Sequence, residues 1–296
     1  MNIHLIDGTY ELFRSFYGPP PKTAPDGREV GATVGLLRSL MELLRDPAVT
    51  HLACAFDHVV ESFRNDLFAG YKTGEGIDPI LRAQFDLAEE AVASLGIVVW
   101  PMIEFEADDA IATGAECWRD DPAVEQIIVC SPDKDLAQLV EGSRVVCWDR
   151  RRAIVYDEAA VSAKYGVRPA SIPDWLALVG DAADGIPGVP GWGAKSAAAV
   201  LAQFGHLETI PADIALWPLP AGRARRLAEA LTLQREDALL YRRLATLRRD
   251  APLTETLDDL AWRGARPEFL ALCASLGADD LPGRVDRFRR LRADVL

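Results

Sequence analysis

The sequence has no long run of apolar residues. Its longest apolar stretch, LGIVVWPMI at residues 95–103, is much shorter than the ~18–20 residues that a membrane-spanning helix needs. The amino-terminal residues MNIHLIDG have no basic flank and reach an acidic side chain at Asp7, which is not the pattern of a secretory signal peptide. These absences exclude an integral membrane protein and predict a cytoplasmic protein with no membrane partner.

The sequence also lacks closely spaced cysteine and histidine ligands. The five cysteines are scattered and form no C-x-x-C pair, and the four histidines show no metal-ligand spacing. A disulfide scaffold and a zinc site of the usual kind are therefore excluded. The pattern is typical of a reduced, cytosolic protein with buried thiols.

An excess of basic residues, which nucleic-acid-binding proteins usually have, is missing as well. The formal net charge is −13. Arginine is nevertheless concentrated in two carboxyl-terminal segments, so the acidic residues must be concentrated elsewhere. The arginines are Arg223, Arg225, Arg226, Arg235, Arg242, Arg243, Arg248 and Arg249 in the first segment, and Arg284, Arg287, Arg289, Arg290 and Arg292 in the second.

The first part of the chain alternates short apolar runs with segments of helical periodicity. This alternation predicts an α/β fold with a mostly parallel sheet covered by helices. The predicted strands are residues 2–6, 51–56, 97–100, 126–130 and 144–148, and the predicted helices are 30–46, 78–96 and 106–120.

From about residue 165 the sequence changes to short helical segments separated by glycine and proline. We predict a mostly helical second region, with a short strand pair within residues 246–259. The predicted domains are therefore residues 1–164 and 165–296.

Acidic residues follow three of the predicted strands and open one helix. The carboxyl ends of parallel strands share one edge of a sheet, where such folds bind ligands. Each acid alone also fits a turn, a strand exit or compensation of a helix dipole. Together they would repel one another unless cations bind, and an all-oxygen ligand set suits magnesium or manganese. The residues are Asp7, Asp57, Asp133 and Asp135 after strands, and Glu106, Asp108 and Asp109 at the helix start.

A second acidic pair precedes a glycine-rich hairpin in GDAADGIPGVPGWGAKS. Asp181 and Asp184 are three residues apart, a spacing that also fits a solvated helix end. The glycines that follow permit a tight turn whose backbone N–H groups could hold a phosphate at the start of a helix. An ordinary turn between two helices is the alternative. The hairpin residues are Gly188, Gly191, Gly193 and Lys195.

Five motifs together resemble one family. LIDGTYELFRSFYG, AFDHVVESFRNDLFAGYK, FEADDAIA, CSPDKDLAQLV and GDAADGIPGVPGWGAKSA occur here in the order and spacing of the flap endonuclease and 5′-3′ exonuclease family. The likeness runs from about residue 1 to 250 and is strongest to the 5′-nuclease domain of bacterial DNA polymerase I and to free-standing phage 5′-nucleases.

The resemblance implies a PIN-like catalytic domain followed by a helix–three-turn–helix DNA-binding region. It also implies two magnesium or manganese ions and a potassium ion at the hairpin carbonyls. Because no polymerase region follows in this sequence, we expect a free-standing nuclease, and we expect it to be a monomer. The implied ligands are Asp7, Asp57, Glu106, Asp108 and Asp109 for one metal ion, and Asp133, Asp135, Asp181 and Asp184 for the other. The implied contacts are Lys72 and Arg64 with the scissile phosphate, and Tyr71, Ser196, Lys195 and the hairpin glycines with DNA.

The sequence departs from the family pattern at two positions. Glu75 lies three residues after Lys72, where the family usually has arginine, in a segment (58–85) that forms an arch around single-stranded DNA in the family. Gly185 follows Asp184, where the family usually has asparagine.

The sequence therefore predicts a metal-dependent 5′-3′ exonuclease and structure-specific flap endonuclease that acts on DNA. A PIN-type endoribonuclease is the second possibility, but it would not require the glycine hairpin. A DNA-junction binder without catalytic activity would be expected to have lost acidic ligands. A structural calcium protein would draw its ligands from one compact loop.

Overall fold

The computed structural model describes the backbone of residues 1–293 and side chains up to residue 288. The strands are β1 Asn2–Asp7, β2 His51–Asp57, β3 Val98–Met102, β4 Gln126–Cys130, β5 Val145–Asp149 and β6 Ile154–Tyr156. The helices are α1 Gly8–Tyr17, α2 Gly31–Leu44, α3 Phe63–Leu67, α4 Pro79–Arg82, α5 Phe85–Ser94, α6 Ala107–Trp118, α7 Glu158–Tyr165, α8 Ile172–Val179, α9 Ala194–Phe204, α10 Ala221–Leu233, α11 Arg235–Ala245, α12 Phe269–Ser275 and α13 Leu281–Ala293.

These elements form two compact units. The sheet unit comprises residues 1–60 and 74–130 together with the chain from Arg249 onward. The helical unit comprises residues 61–73 and 131–248. Among the described residues, no helix is both long enough and apolar enough to cross a membrane.

The sheet unit is built on four parallel strands in the order β3-β2-β1-β4. The two central strands, β1 and β2, are buried along most of their length, as expected for parallel strands that are covered on both faces. Parallel strands require crossover connections, and helices provide them. Helices α1 and α2 lie between β1 and β2 in the chain, α4 and α5 between β2 and β3, and α6 between β3 and β4. Helix α2 buries Leu36, Leu37, Leu40 and Leu44, at the three- and four-residue spacing of one helix face. Burying one such side chain stabilises the fold by roughly 1.5–3 kcal/mol.

The helical unit surrounds helix α8. Strands β5 and β6 form an antiparallel hairpin, and the Asp157 side chain caps α7 by accepting a hydrogen bond from the Ala160 N–H. Helix α8 contacts α9 and α11, and its apolar residues Ile172, Leu176 and Leu178 are fully buried. A glycine-rich segment connects α8 to α9, as the sequence predicts.

The structure confirms the mostly parallel sheet and corrects two local expectations. Residues 78–96 form α4 and α5 rather than one helix, and the Gln84 side chain between them accepts a hydrogen bond from the Thr33 N–H at 3.1 Å. The strand pair expected within residues 246–259 is wrong. Instead the segment is irregular and includes a 3₁₀ turn at Leu257–Leu260, and the Trp100 indole anchors it by donating to Glu255 at 3.1 Å. The predicted domain boundary near residue 164 stays a prediction.

Candidate active site

Three carboxylates of the helical unit converge on one point. One oxygen from each of Asp135, Asp181 and Asp184 lies within 4.8 Å of the other two. We call these three residues the carboxylate cluster. Among the residues that the structure describes, no other group of three metal-ligand side chains comes this close together.

Two short turns supply the carboxylate cluster. Asp135 begins a 3₁₀ turn that ends at Leu139, and its N–H donates to Asp133 Oδ1 at 3.0 Å. Asp133 itself is exposed at the edge of the cluster. The other turn is closed by two hydrogen bonds of 2.8 Å between the backbones of Asp181 and Ile186, which hold Asp181 and Asp184 on one loop.

The Asp135 carboxyl group is buried within the carboxylate cluster. It is 6% exposed, and its Oδ1 atom has no hydrogen-bond partner among the described residues. Burial, followed by the nearby charges of Asp133, Asp184 and Asp181, raises its pKa well above the usual range. A bound cation would reverse this effect because it stabilises the ionised form. Hard divalent cations bind oxygen ligands. The cluster offers three carboxylates, and the buried Oδ1 atom of Asp135 has no hydrogen-bond partner among the described residues. These residues therefore fit a metal ion.

Two lysines contribute positive charge to the carboxylate cluster. Lys72 Nζ lies 3.0 Å from Asp184 Oδ1, and Lys134 Nζ lies 2.7 Å from Asp181 Oδ1. Lys72 was predicted from the motifs, whereas Lys134 was not. Its position between two candidate ligands in PDKD was the available sequence signal.

The backbone also brings Lys72 to the carboxylate cluster. The Lys72 N–H donates to the Asp184 carbonyl at 3.0 Å. Gly185 has a φ of +74°, and a Cβ atom at this position would lie 2.1 Å from the Gly70 carbonyl oxygen. A side chain at residue 185 would therefore separate the Lys72 segment from the turn that carries Asp184.

The five predicted ligands of the sheet unit lie at one end of the sheet. Asp7 and Asp57 are the last residues of the neighbouring strands β1 and β2. The Ala107 N–H donates to Asp57 Oδ1 at 2.8 Å, which brings the start of α6 to the same end. Helix α6 opens with Glu106 as its N-cap, followed by Asp108 and Asp109 in its first turn.

Several of these carboxylates also have structural roles. Asp7 caps α1 by accepting a hydrogen bond from the Tyr10 N–H at 2.8 Å. Glu106 and Asp109 form a capping box, in which each side chain accepts a hydrogen bond from the backbone N–H of the other residue. Glu106 is 3% exposed and Asp109 is completely buried. The capping interactions fix these carboxylates in place, while Asp108 is partly exposed.

The glycine hairpin adopts the tight turn that its sequence predicts. Gly188 and Gly191 have φ values of +72° and +83°. A Cβ atom on Gly188 would lie 2.5 Å from the backbone nitrogen of Gly180, which excludes a larger residue there. Gly193 is the N-cap of α9, with no side-chain cap, and Lys195 is exposed in the first turn.

Two family models match consecutive parts of the chain. Residues 2–166 match the family model described as "5′-3′ exonuclease, N-terminal resolvase-like domain". Residues 167–268 match the model described as "5′-3′ exonuclease, C-terminal SAM fold". The chain belongs to the 5′-3′ exonuclease family. The family predicted from the five motifs is therefore confirmed.

Similar members of the 5′-3′ exonuclease family include two DNA polymerases I. The enzyme from Bacillus caldotenax is 36% identical over 279 residues, which cover 92% of this chain and 31% of the relative. The enzyme from Mycobacterium leprae is 34% identical over 262 residues, which cover 86% of this chain and 28% of the relative. The chain thus spans about a third of the length of these relatives.

Solved structures confirm the fold expected for a 5′-3′ exonuclease. The bacteriophage T5 flap endonuclease, solved with DNA and metal ions, has a TM-score of 0.66 at 18% identity, and the match covers 99% of this chain and 100% of that one. The catalytic core of Rad2, solved with a DNA substrate, has a TM-score of 0.59 at 16% identity, covering 96% and 91%. The PIN-like α/β part and the helical part that follows it are both present.

Three predicted contact residues of this 5′-3′ exonuclease are buried. Arg64 is 1% exposed, and its Nε donates to the Leu244 carbonyl at 2.8 Å, at the end of α11. Tyr71 is 4% exposed and Ser196 is 1% exposed. Direct contact between these side chains and DNA would require them to become accessible, so their roles stay predictions.

We expect Gly185→Ala to detach Lys72 from Asp184, because the added Cβ would meet the Gly70 carbonyl oxygen. Nuclease activity should fall by at least tenfold, a loss of about 1.4 kcal/mol of transition-state stabilisation. Gly205→Ala is the matched control, because Gly205 has a similar φ of +79° and nothing within 4 Å of its Cβ position. Steady-state cleavage rates and thermal unfolding of both variants provide the measurement. Equal losses of activity in the two variants would contradict a specific role for the Gly185 contact.

Proposed function

We propose that the protein is a divalent-metal-dependent 5′-3′ exonuclease and flap endonuclease that hydrolyses DNA phosphodiester bonds. The carboxylate cluster is the observation that carries this proposal, because its buried Asp135 oxygen has no hydrogen-bond partner among the described residues and fits a bound cation. Membership of the 5′-3′ exonuclease family supports the reaction. The likeness to structures solved with DNA supports the substrate.

Two metal ions, magnesium or manganese, are proposed. The residues of the helical unit that would hold one ion are Asp133, Asp135, Asp181 and Asp184, and those of the sheet unit that would hold the other are Asp7, Asp57, Glu106, Asp108 and Asp109. When bound, such ions activate water and stabilise the attacking and leaving oxygens of a phosphodiester displacement.

The protein's own groups position the DNA for this reaction. Lys72 is held beside Asp184 through both its backbone and its ammonium group, so its charge is available to a phosphate that approaches the carboxylate cluster. Arg64 is proposed to hold the chain segment that carries Lys72 in place, because its guanidinium group donates hydrogen bonds to carbonyl groups at the end of α11. Tyr71, which is buried next to Lys72, would fix the direction in which Lys72 points.

DNA duplex is proposed to bind at the glycine hairpin. The N-terminus of α9 and the exposed Lys195 would hold the phosphate backbone without reading its sequence. Gly188 and Gly191 shape the hairpin turn, and Gly191 and Gly193 leave part of its backbone accessible. Ser196, which is buried in the first turn of α9, is proposed to reach the DNA backbone only if it becomes accessible. The hairpin carbonyl groups are proposed to hold a potassium ion. The arginines Arg223, Arg225 and Arg226 are exposed on α10 and add positive charge to the helical unit. Binding as a monomer is proposed.

Cleavage of end-labelled substrates tests the proposal. A 5′ flap, a nicked duplex and a matched RNA substrate should be incubated with the protein and Mg²⁺. The proposal predicts products from both DNA substrates. Cleavage confined to the RNA would favour a PIN-type endoribonuclease, and binding without cleavage would favour a junction-binding protein.

Nuclease activity should depend strictly on a divalent cation. We expect EDTA to abolish cleavage and added Mg²⁺ or Mn²⁺ to restore it, because the candidate ligands of the cluster are all carboxylate oxygens. Initial rates across a metal titration provide the measurement. Undiminished cleavage in EDTA would rule out the metal assignment.

Catalysis and DNA binding should be separable. Asp184→Asn keeps the shape of a proposed metal ligand but removes its charge, so we expect cleavage to fall by at least 100-fold with duplex affinity nearly unchanged. Lys195→Ala should weaken duplex binding and reduce the salt slope by roughly one unit. Fluorescence anisotropy in Ca²⁺, combined with cleavage in Mg²⁺, measures both effects. The division of roles fails if both variants lose affinity equally.

Glu75 should weaken binding of a single-stranded 5′ flap. The residue is exposed, and a carboxylate repels phosphates. Glu75→Arg should therefore tighten flap binding and steepen its log–log salt dependence by roughly 0.7 for each phosphate that the arginine neutralises, with little effect on a nicked duplex. Glu268→Arg, at another exposed position of the sheet unit, controls for net charge. The affinity of both proteins for a 5′ flap should be measured across a salt series. If the values for Glu75→Arg superimpose on those of the unmodified protein, Glu75 does not face the flap.

A further inference from the structure

The ammonium group of Lys134 lies at the carboxylate cluster. Its Nζ atom is 2.7 Å from Asp181 Oδ1, and the Asp181 side chain is only 4% exposed. The Lys134 side chain is itself 35% exposed, so it has room to move away from Asp181. In the chain it lies between Asp133 and Asp135.

The position of Lys134 places positive charge among the carboxylates. Lysine is ordinarily charged at neutral pH, and the ammonium group lies 2.7 Å from Asp181 Oδ1. This charge neutralises part of the carboxylate cluster when no divalent cation is bound.

A divalent cation and Lys134 would compete for the same carboxylate. Asp181 Oδ1 already accepts hydrogen bonds from Lys134 Nζ and from the Ala183 N–H, the latter at 3.1 Å. A metal ion that used this oxygen would have to displace the ammonium group. The two positive charges would also repel each other across a partly buried site, where charges are poorly screened.

We propose that Lys134 is the resident counter-cation of the carboxylate cluster, and that a divalent cation must displace it from Asp181 to bind. The ion pair stabilises the metal-free protein and raises the concentration of metal ion that the site needs. The inference rests on the proposed function only in taking the carboxylate cluster as a metal site. It gives Lys134 a role that differs from the phosphate contact proposed for Lys72.

Metal binding by Lys134→Met tests this inference directly. Isothermal titration with Mn²⁺, without DNA, should show binding tighter by about threefold to tenfold, the effect of removing one nearby charge at the high effective dielectric of a partly exposed site. Lys164→Met removes the same charge from a lysine that stacks on the rings of Tyr156 and Tyr165, at 4.2 and 4.8 Å, and should leave Mn²⁺ affinity unchanged. Lys134→Arg keeps the charge and should bind Mn²⁺ like the unmodified protein.

Thermal unfolding gives a second measurement. In EDTA, Lys134→Met should melt at a lower temperature than the unmodified protein. Saturating Mn²⁺ should raise the melting temperature of Lys134→Met by more than it raises that of the unmodified protein. A Lys134→Met protein that is unfolded in EDTA but restored by Mn²⁺ also supports the proposal, whereas one that Mn²⁺ does not restore overturns it. In an Asp181→Asn background the Lys134→Met change should raise Mn²⁺ affinity less than in the unmodified protein, because the ion pair is already broken and only the repulsion between the two cations is removed.

The inference is overturned if Lys134→Met binds Mn²⁺ with unchanged or weaker affinity, or if Lys164→Met shows the same gain. A failure of the proposed function has a different result, since the unmodified protein would then bind Mn²⁺ but cleave no DNA. The titration would still decide the role of Lys134 in that case.

Discussion

Mutual repulsion among carboxylates is the constraint on which the candidate active site depends. Asp135 and Asp181 are almost fully buried, and Asp133 and Asp184 add negative charge beside them. Such a group destabilises a folded protein unless positive charge is bound nearby. Lys72 and Lys134 supply part of this charge, and a divalent cation would supply the rest. The fold thus maintains a site that gains stability when a metal ion binds.

The carboxylates of the two units are held by different kinds of contact. In the sheet unit, strand ends and a helix start fix the acids, and backbone N–H groups satisfy part of their hydrogen-bonding capacity. In the helical unit, two short turns carry the acids, and lysines contact the carboxylates of Asp181 and Asp184 in addition to the Ala183 N–H, which donates to Asp181. Amide donors hold carboxylates rigidly, whereas a lysine can leave when another cation arrives.

Much of the fold and of the ligand set could be predicted from the sequence. The mostly apolar runs before Asp7 and Asp57 predicted two strands that end in these acids. The three-residue spacing of Asp181 and Asp184 predicted that both lie on one turn. Long-range contacts were not predictable, because no local pattern encodes them. The burial of Arg64 depends on carbonyl groups 180 residues away, and the constraint on Gly185 comes from the Gly70 carbonyl. The pairing of Lys134 with Asp181 is of the same kind.

The central claim is that the carboxylate cluster holds a divalent cation. The most direct measurement is anomalous diffraction at the manganese edge from crystals of the protein grown with Mn²⁺. The account predicts an anomalous peak within coordination distance, about 2.0–2.3 Å, of oxygens from Asp135, Asp181 and Asp184. Crystals with full Mn²⁺ occupancy elsewhere, but with no peak there and with Lys134 still on Asp181, would contradict the account.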